Sequence, residues 1–283
     1  MTEDTYKKVL EANIAVHTKI SEHYNSCEPH FRPENVGKVD SILQTIFSET
    51  GAKKMLDLGC GTGFVINIAK KYLTEIDGVD VTQAMMDKVD KTGSCKITLH
   101  NHDTGSFPVR ENYYDVVTGY SFLHHLYDIL PTLRTAFKGL KKGGKFYADL
   151  DPNYYYWESI NSLKRDGNYD PMVKREIEMV TYKDEDIEKT FGVSKDTFNH
   201  AEYSKNIKGG FKEEELQAKL TSVGFKDIKI FYYWYLGQAW MVNNERYDKE
   251  KRFEYVKVLD ETLQKSLPIS RNLFKYMGFI ATK

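Results

Sequence analysis

The sequence predicts an α/β fold, in which helices flank a sheet of mainly parallel strands. Between residues 53 and 150, short apolar runs typical of strands alternate with amphipathic stretches typical of helices, as in parallel strands joined by crossover helices. The chain has 283 residues, 41% of them hydrophobic, which is enough for one large α/β domain. The formal charge of -1 provides no overall positive field for a nucleic-acid backbone or an anionic membrane.

A helical cap is predicted over residues 1–50. Apolar residues recur there at about helical spacing in two segments, with an interruption at residues 27–29. Pro33 is placed to begin the second helix, and Gly51 is placed to end it. The remaining residues, 51–283, are predicted to form the core with two insertions.

The first insertion, at about residues 152–210, breaks the alternation with a polar, aromatic and charged stretch, which we expect to form a lid. A helix over 211–223 and strands over 225–235 and 272–282 would complete the sheet. Residues 238–265, within a second insertion at about 237–270, have the spacing of a helix. No repeat or flexible linker separates these parts, so one elaborated domain is favoured over two.

The motif MLDLGCGTG, at residues 55–63, follows a predicted strand and precedes a predicted helix. Gly59, Gly61 and Gly63 let the backbone turn sharply and approach a ligand closely, because they carry no Cβ atom. A dinucleotide-binding loop has the spacing G-x-G-x-x-G, whereas this loop reads G-x-G-x-G. Asp57, just before it, would repel a pyrophosphate and suits a ligand that carries an ammonium group or hydroxyls.

Two further acids follow predicted strands in the same block. Asp80 ends the second strand, where a nucleoside-binding unit places the carboxylate that binds ribose hydroxyls. Asp103 follows the next strand, in HNHDTGSFP. Each feature alone is commonly structural, but the ordered set is far more specific.

With these motifs, the chain resembles class I S-adenosylmethionine-dependent methyltransferases, of the small-molecule group that includes ubiquinone/menaquinone-type enzymes. The resemblance covers residues 50–150 closely and 205–235 more loosely. Residues 114–128 resemble the fourth strand of that family, and residues 140–151 resemble the fifth. It implies a Rossmann-like, seven-stranded, mostly parallel sheet whose last strand is antiparallel.

The resemblance also implies a cofactor site for S-adenosylmethionine, with S-adenosylhomocysteine as the product. The glycine loop would surround the methionine part, Asp80 would accept hydrogen bonds from the ribose hydroxyls, and Asp103 would flank the adenine. The predicted cofactor-binding residues are Tyr24, Asp57, Gly59, Cys60, Gly61, Gly63, Asp80, Val81, Met85, Asp103, Thr104 and Tyr120.

The expected reaction is methyl transfer to a small or medium-sized organic acceptor by in-line displacement. This requires alignment more than acid–base chemistry. His124, His125 and His200 are candidate general bases, since imidazole titrates near neutral pH. Tyr120 and Tyr155 are further catalytic candidates. An ordinary structural role is the alternative interpretation for each of the five.

Two other functions stay open: a nucleotide- or NAD-dependent oxidoreductase on a related fold, and a noncatalytic module that keeps the cofactor fold. A nucleic-acid acceptor is disfavoured by the near-neutral charge and by the lack of a tetrapeptide typical of enzymes that methylate an extruded base. We therefore expect a small-molecule acceptor and a monomer or homodimer.

No metal site is predicted. Cys27, Cys60 and Cys95 lack zinc-binding spacing and are interpreted as free thiols of a reducing compartment. Asp149 and Asp151 lack an evident third oxygen ligand. With no signal core and no apolar stretch of 18 residues, we expect a cytoplasmic protein without a membrane span.

Tyrosine is unusually abundant, with 20 Tyr against 15 Phe. Eleven of them fall in residues 113–156 and 231–235. In the fold that the chain resembles, these windows adjoin or support the acceptor side, although strands favour tyrosine in any case. We expect an aromatic acceptor pocket to which Tyr120, Tyr154, Tyr155 and Tyr203 contribute.

Overall fold

The computed structural model describes residues 3–180 and 184–283. At the N-terminus, α1 spans Glu3–Ile20, the short α2 spans Tyr24–Cys27, a single turn follows at Pro29–Phe31, and α3 spans Pro33–Thr50. Pro33 begins α3, and Gly51 ends it at φ 60°, the left-handed conformation that glycine adopts without steric cost. The predicted N-terminal helices and the break between them are confirmed, while the cap-and-core division of the chain stays a prediction.

Seven strands form one sheet, in the order β3-β2-β1-β4-β5-β7-β6. Their bounds are Lys54–Leu58 for β1, Glu75–Asp80 for β2, Lys96–Asn101 for β3, Tyr114–Tyr120 for β4, Leu140–Pro152 for β5, Lys226–Tyr235 for β6 and Phe274–Thr282 for β7. Strands β1 to β5 pair in parallel, and β7 pairs antiparallel with both β5 and β6. This confirms the predicted Rossmann-like sheet with one antiparallel strand.

Helices cover both faces of the sheet. Those that follow strands β1, β2 and β4 are α4 (Phe64–Ala69), α5 (Gln83–Met86) and α6 (Leu130–Gly139), and α11 (Glu213–Val223) precedes β6. Along β1, Met55 packs with α3 and α4 on one face, while Leu56 and Leu58 pack with α6 and α11 on the other. Because both faces are buried, the central strands are short apolar segments interrupted by single acidic residues, without a regular alternation of polar and apolar side chains.

The first insertion is helical. It contains α7 (Tyr154–Asn161), α8 (Pro171–Val180), α9 (Asp184–Phe191), α10 (Lys195–Ala201) and a turn at Tyr203–Ile207. Helix α1 packs against this insertion, since Ala12 and Val16 share an apolar cluster with Ile187 and Phe198. The second insertion forms α12 (Gln238–Val242) and α13 (Lys249–Lys265) rather than one continuous helix.

The sheet order reverses between β1 and β4, whose next neighbours are β2 and β5. Open α/β sheets bind ligands in the crevice outside the carboxyl ends of the strands at such a switch point. The glycine loop follows β1, and Asp80 is the last residue of β2, so both lie at this edge. Among the described residues, no helix is long and apolar enough to cross a membrane.

Candidate functional site

A cavity lies at the carboxyl edge of β1, β2 and β4, and α1 forms part of its wall. It brings together residues that are far apart in the sequence. Most of the predicted cofactor-binding residues line it: Tyr24, Gly59, Cys60, Gly61, Asp80, Val81, Met85, Asp103, Thr104 and Tyr120. Two of the predicted catalytic residues, Tyr120 and His125, also line it. Asp57 and Gly63 are not among the lining residues, nor are His124, His200 and Tyr155.

The glycine loop is built on a backbone that requires glycine. Gly59, Gly61 and Gly63 have φ values of 69°, 50° and 85°, in the left-handed region that L-residues with a Cβ atom disfavour. The N–H groups of Gly59 and Cys60 both donate to the carbonyl of Val79, at 2.8 and 3.1 Å. The loop is therefore fixed to the end of β2, next to Asp80.

Asp80 is held by two backbone amides. Its Oδ2 accepts from the Gly61 N–H at 2.9 Å, and its Oδ1 accepts from the Thr82 N–H at 2.8 Å. Burial raises the pKa of this carboxyl group, and the two amides oppose that shift. Each oxygen keeps further lone pairs, so the carboxylate can accept hydrogen bonds from two vicinal hydroxyls of a ligand.

Asp57 lies beneath the cavity instead of lining it. Its side chain is buried, and its Oδ1 accepts a hydrogen bond from Thr118 Oγ1 on β4 at 2.7 Å. Burial raises the pKa of Asp57 to about 7. Gly63 is placed where a Cβ atom would meet the side chain of Val89 at 3.0 Å, so it allows the start of α4 to pack closely against the segment after α5. The expectation of direct cofactor contact is therefore not supported for these two residues.

Helix α1 contributes site residues that the sequence motifs did not identify. Tyr6, Val9, Leu10, Asn13 and His17 line the cavity along one face of the helix. One of them, Tyr6, donates from its hydroxyl to Asp103 Oδ2 at 2.9 Å. The amide of Asn13 donates to the carbonyl of His125 at 3.1 Å. A buried asparagine on the apolar face of an amphipathic helix is the signal by which this face could have been found.

Asp103 and Thr104 are occupied by protein contacts. In addition to Tyr6, Asp103 accepts from Ser106 Oγ at 3.0 Å, and the Thr104 hydroxyl contacts that of Thr132 at 2.9 Å. They shape the wall of the cavity and connect α1 to the loop after β3. In the structure Asp103 therefore holds α1 through Tyr6, in addition to its predicted role of flanking the adenine.

Aromatic side chains surround another part of the cavity. His30 contacts the rings of Tyr24, Phe64 and Tyr120, with centroid distances of 5.8, 4.9 and 5.7 Å. Burial lowers the pKa of His30 to about 4, so its imidazole is neutral at pH 7. Neutral aromatic faces attract a cation through the ring quadrupole.

His125 reaches the cavity with a defined tautomer. Its Nδ1 lies 2.7 Å from the carbonyl oxygen of Ala201, which only accepts, so Nδ1 carries the proton and Nε2 keeps a lone pair. Burial holds the pKa of His125 well below its usual range, and the neighbouring His124 adds to the effect. A neutral imidazole with a free lone pair has the form that a general base requires.

His124 is directed away from the cavity and forms a buried pair with Asp151. Its Nδ1 lies 2.8 Å from Asp151 Oδ1, and its backbone N–H donates to the same oxygen at 3.0 Å. Burial lowers the pKa of His124 to about 4. His124 therefore positions the turn that carries His125, and its place outside the cavity lining gives no support to its prediction as a base facing the acceptor.

Glu202 lies beside both histidines. Its carboxylate is 3.5 Å from His125 Nδ1, 3.9 Å from His124 Nε2 and 3.0 Å from Lys205 Nζ. Burial would raise the pKa of Glu202, but Lys205 and the two histidines hold it well below its usual value. Ligand atoms of His124, His125 and Glu202 lie within 4.8 Å of one another, although Lys205 already provides a cation there.

Two catalytic candidates are placed elsewhere. His200 directs Nδ1 to the carbonyl of Asp196, at 2.7 Å within its own helix. Tyr155 donates to Glu214, and its ring lies 3.7 Å from the guanidinium of Arg271. Neither lines the cavity, because α7 and α10 turn these side chains towards other partners. Of the four tyrosines expected in an aromatic pocket, Tyr120 lines this cavity and Tyr154, Tyr155 and Tyr203 do not.

Residues 56–148 match the family model described as a methyltransferase domain. Malonyl-(acyl-carrier protein) O-methyltransferase from Bacillus cereus is 31% identical over 107 residues, which are 37% of this chain and 39% of that protein. Ubiquinone biosynthesis O-methyltransferase from Idiomarina loihiensis is 26% identical over 44% of this chain and 52% of that protein. The chain thus spans about half the length, or less, of these curated relatives.

Solved structures share the fold. A SAM-dependent methyltransferase from Archaeoglobus fulgidus aligns with a TM-score of 0.51 and 19% identity over 88% of this chain and 94% of that one. The 4+2 cyclase SpnF aligns with a TM-score of 0.56 and 14% identity over 97% and 96%. The family model and the curated relatives confirm the predicted resemblance to methyltransferases.

Proposed function

We propose that this chain, which carries a methyltransferase domain over residues 56–148, transfers the methyl group of S-adenosylmethionine to a small or medium-sized organic acceptor. One observation carries the proposal. The left-handed glycine loop and the amide-held carboxylate of Asp80 meet in a single cavity at the switch point of the sheet. Together they offer a close backbone approach and two acceptors for vicinal hydroxyls.

When bound, the cofactor supplies a methyl group activated by a positively charged sulfur. Tyr24 and Tyr120 offer aromatic faces to such a charge, each contributing about 0.5–2 kcal/mol depending on desolvation. The residues of α1 form part of the cavity wall, where they would limit the access of water to a bound cofactor. Held in this way, the donor and the acceptor can be aligned for in-line displacement, which is the main requirement of the reaction.

His125 is the proposed base for an acceptor that must lose a proton. Its Nε2 is free to accept that proton, because Nδ1 donates to Ala201. The imidazolium that forms would be stabilised by the nearby carboxylate of Glu202. An acceptor that is already deprotonated would need only alignment, and His125 would then act as a wall of the cavity.

The first experiment measures binding of S-adenosylhomocysteine by titration calorimetry. Asp80→Ala removes both acceptors for the hydroxyls, so we expect the affinity to fall by about 30-fold or more, as for two hydrogen bonds to a charged group. Asp166→Ala is the matched control, since Asp166 is an exposed carboxylate on another segment. Equal affinities of the two variants would refute the role of Asp80.

The second experiment separates cofactor binding from catalysis. The protein is incubated with methyl-labelled S-adenosylmethionine and a panel of small amines, phenols and acids, and label in the acceptor is counted. We expect transfer to at least one acceptor class. Tight cofactor binding without transfer to any of them would favour the noncatalytic module, and a thermal shift with NAD in place of S-adenosylhomocysteine would favour the oxidoreductase.

A further inference from the structure

A second cavity lies within the first insertion, against the start of β7. Helices α7 to α10 and the turn at Tyr203–Ile207 surround it, and Lys275 and Tyr276 close it from the sheet. Its volume is about 530 Å³. That value falls in the range of about 300–1,000 Å³ typical of sites for small molecules.

The lining of this second cavity is strongly basic. Five of the described lining residues are cationic and none is acidic, although the whole chain carries a formal charge of -1. The cationic residues are Arg165, Lys195, Lys205, Lys208 and Lys275. The acids that pair with Lys275 and Lys205 are Glu176 and Glu202, and both lie outside the lining. These two ion pairs neutralise Lys275 and Lys205, and the positive charges of Arg165 and Lys208 remain to attract an anion.

Two buried groups give the cavity a polar interior. Lys275 is 8% exposed, and its ammonium lies 2.8 Å from Glu176. Trp157 is also 8% exposed, and its indole N–H has no hydrogen-bond partner among the described residues. A buried donor without a partner is unfavourable, and an oxygen of a bound anion would satisfy it.

Two sets of polar contacts link the wall of the second cavity to the wall of the first. Glu202 bridges Lys205, which lines the second cavity, and His125, which lines the first, at 3.0 and 3.5 Å. Lys208 of the second cavity donates to the carbonyl of Tyr127, at 2.5 Å, and Tyr127 lines the first. One layer of side chains therefore separates the two cavities.

We propose that the second cavity binds the oxyanion group, phosphate or carboxylate, of the methyl acceptor. The inference rests on the proposed function and extends it to a substrate class. The cations and the Trp157 N–H hold the anionic end, and the apolar side chains of Ile187 and Phe198 pack against the rest of the molecule. For the end to be methylated to enter the first cavity, the side chains of Glu202 and Lys205 that lie between the two cavities must move aside.

The test of this site uses inorganic phosphate and acetate as probes, in separate calorimetric titrations at constant ionic strength without cofactor. We expect saturable binding of at least one anion. Arg165→Gln should weaken it about fivefold to tenfold through loss of a charged partner. Arg246→Gln is the matched control, because Arg246 is an exposed arginine on a distant segment. Trp157→Phe, which keeps an aromatic ring but lacks the N–H donor, should also weaken the binding.

Absence of saturable binding, or equal weakening by the two arginine variants, overturns the proposal. The two anions distinguish a phosphate from a carboxylate as the preferred group. S-adenosylhomocysteine binding is measured on the same variants and should be unchanged. Loss of anion binding with intact cofactor binding therefore separates a failure of this site from a failure of the proposed function.

Turnover gives the second readout. Each acceptor of the panel is compared with its phosphorylated or carboxylated analogue, and we expect preferential methylation of the anionic member. Arg165→Gln should raise KM for that member about tenfold while kcat changes little, because Arg165 contacts a part of the acceptor that does not react. Equal turnover of the neutral and anionic members would contradict the assignment.

Discussion

Replacement of Gly59 by alanine tests the architecture of the glycine loop. Gly59 has φ 69°, and a Cβ atom there would lie closer than 3.0 Å to the ring of Phe122. Gly51, which ends α3, has nearly the same backbone, with φ 60°, but no atom within 4 Å of the added Cβ. Comparing the two alanine variants therefore separates the cost of the left-handed backbone from the cost of the steric clash with Phe122.

The magnitudes follow from these two environments. Alanine in the left-handed region costs about 1–2 kcal/mol, of which reduced freedom of the unfolded chain returns about 0.4–1 kcal/mol. For Gly51→Ala we therefore expect a loss of about 1 kcal/mol in the free energy of unfolding. Displacing Phe122 adds about 1–3 kcal/mol at Gly59, as in other overpacked sites.

Urea denaturation of both variants measures the difference directly. Binding of S-adenosylhomocysteine should also weaken in Gly59→Ala and stay unchanged in Gly51→Ala, since Gly59 and Phe122 both line the first cavity. Combining Gly59→Ala with Phe122→Ala should give a favourable coupling of about 0.5–3 kcal/mol. Equal destabilisation by the two glycine substitutions, within about 0.5 kcal/mol, would refute the packing argument.

Three further predictions concern the first cavity. Burial lowers the pKa of His30 to about 4, whereas the unfolded chain binds this proton at about pH 6.5. The free energy of unfolding should therefore fall as the pH drops from about 6.5 to 4. His30→Gln should remove about 2–3 kcal/mol of this loss, as measured by denaturation curves recorded at several pH values. Tyr6→Phe removes the 2.9 Å hydrogen bond to Asp103 and should speed dissociation of S-adenosylhomocysteine about threefold to tenfold in stopped-flow measurements, whereas an unchanged rate would rule out the tether. His125→Gln should lower kcat about 100-fold or more for acceptors that must lose a proton and much less for deprotonated ones, and equal effects on both would argue against a base.

Much of the sheet was predictable from the sequence. The central strands β1, β2 and β4 are buried on both faces, so they appear in the sequence as short apolar segments interrupted by single acidic residues. The break between α12 and α13 was not predicted, because the helical spacing of Val256, Leu259 and Leu263 describes only α13, and the polar residues 243–248 between the two helices were not taken into account. Asp248 caps the start of α13 by accepting a hydrogen bond from the Lys251 N–H, which is a local signal that periodicity alone does not capture.

The site residues that could be predicted are those whose place in the chain follows from backbone conformation, such as a glycine in a tight turn or an acid at the end of a strand. Gly59, Gly61 and Asp80 were identified from their order along the chain, and they meet in the first cavity. Tyr155 and His200 were chosen for their chemistry in an insertion without a motif, and the structure directs them to Glu214 and Asp196 instead. Side-chain type alone does not indicate which of several neighbours a helix will present to a cavity.

The sequence by itself determined the fold class, the glycine loop and the acid that follows the second strand. These depend on backbone conformation and on periodicity, which a few neighbouring residues dictate. Only the tertiary structure decided that α1 forms part of the cavity wall, that His125 and not His124 reaches the cavity, and that five cations of the insertion and β7 converge on a second cavity. Such convergence comes from the packing of distant segments, because the burial of apolar faces brings their polar residues together without any local sequence pattern.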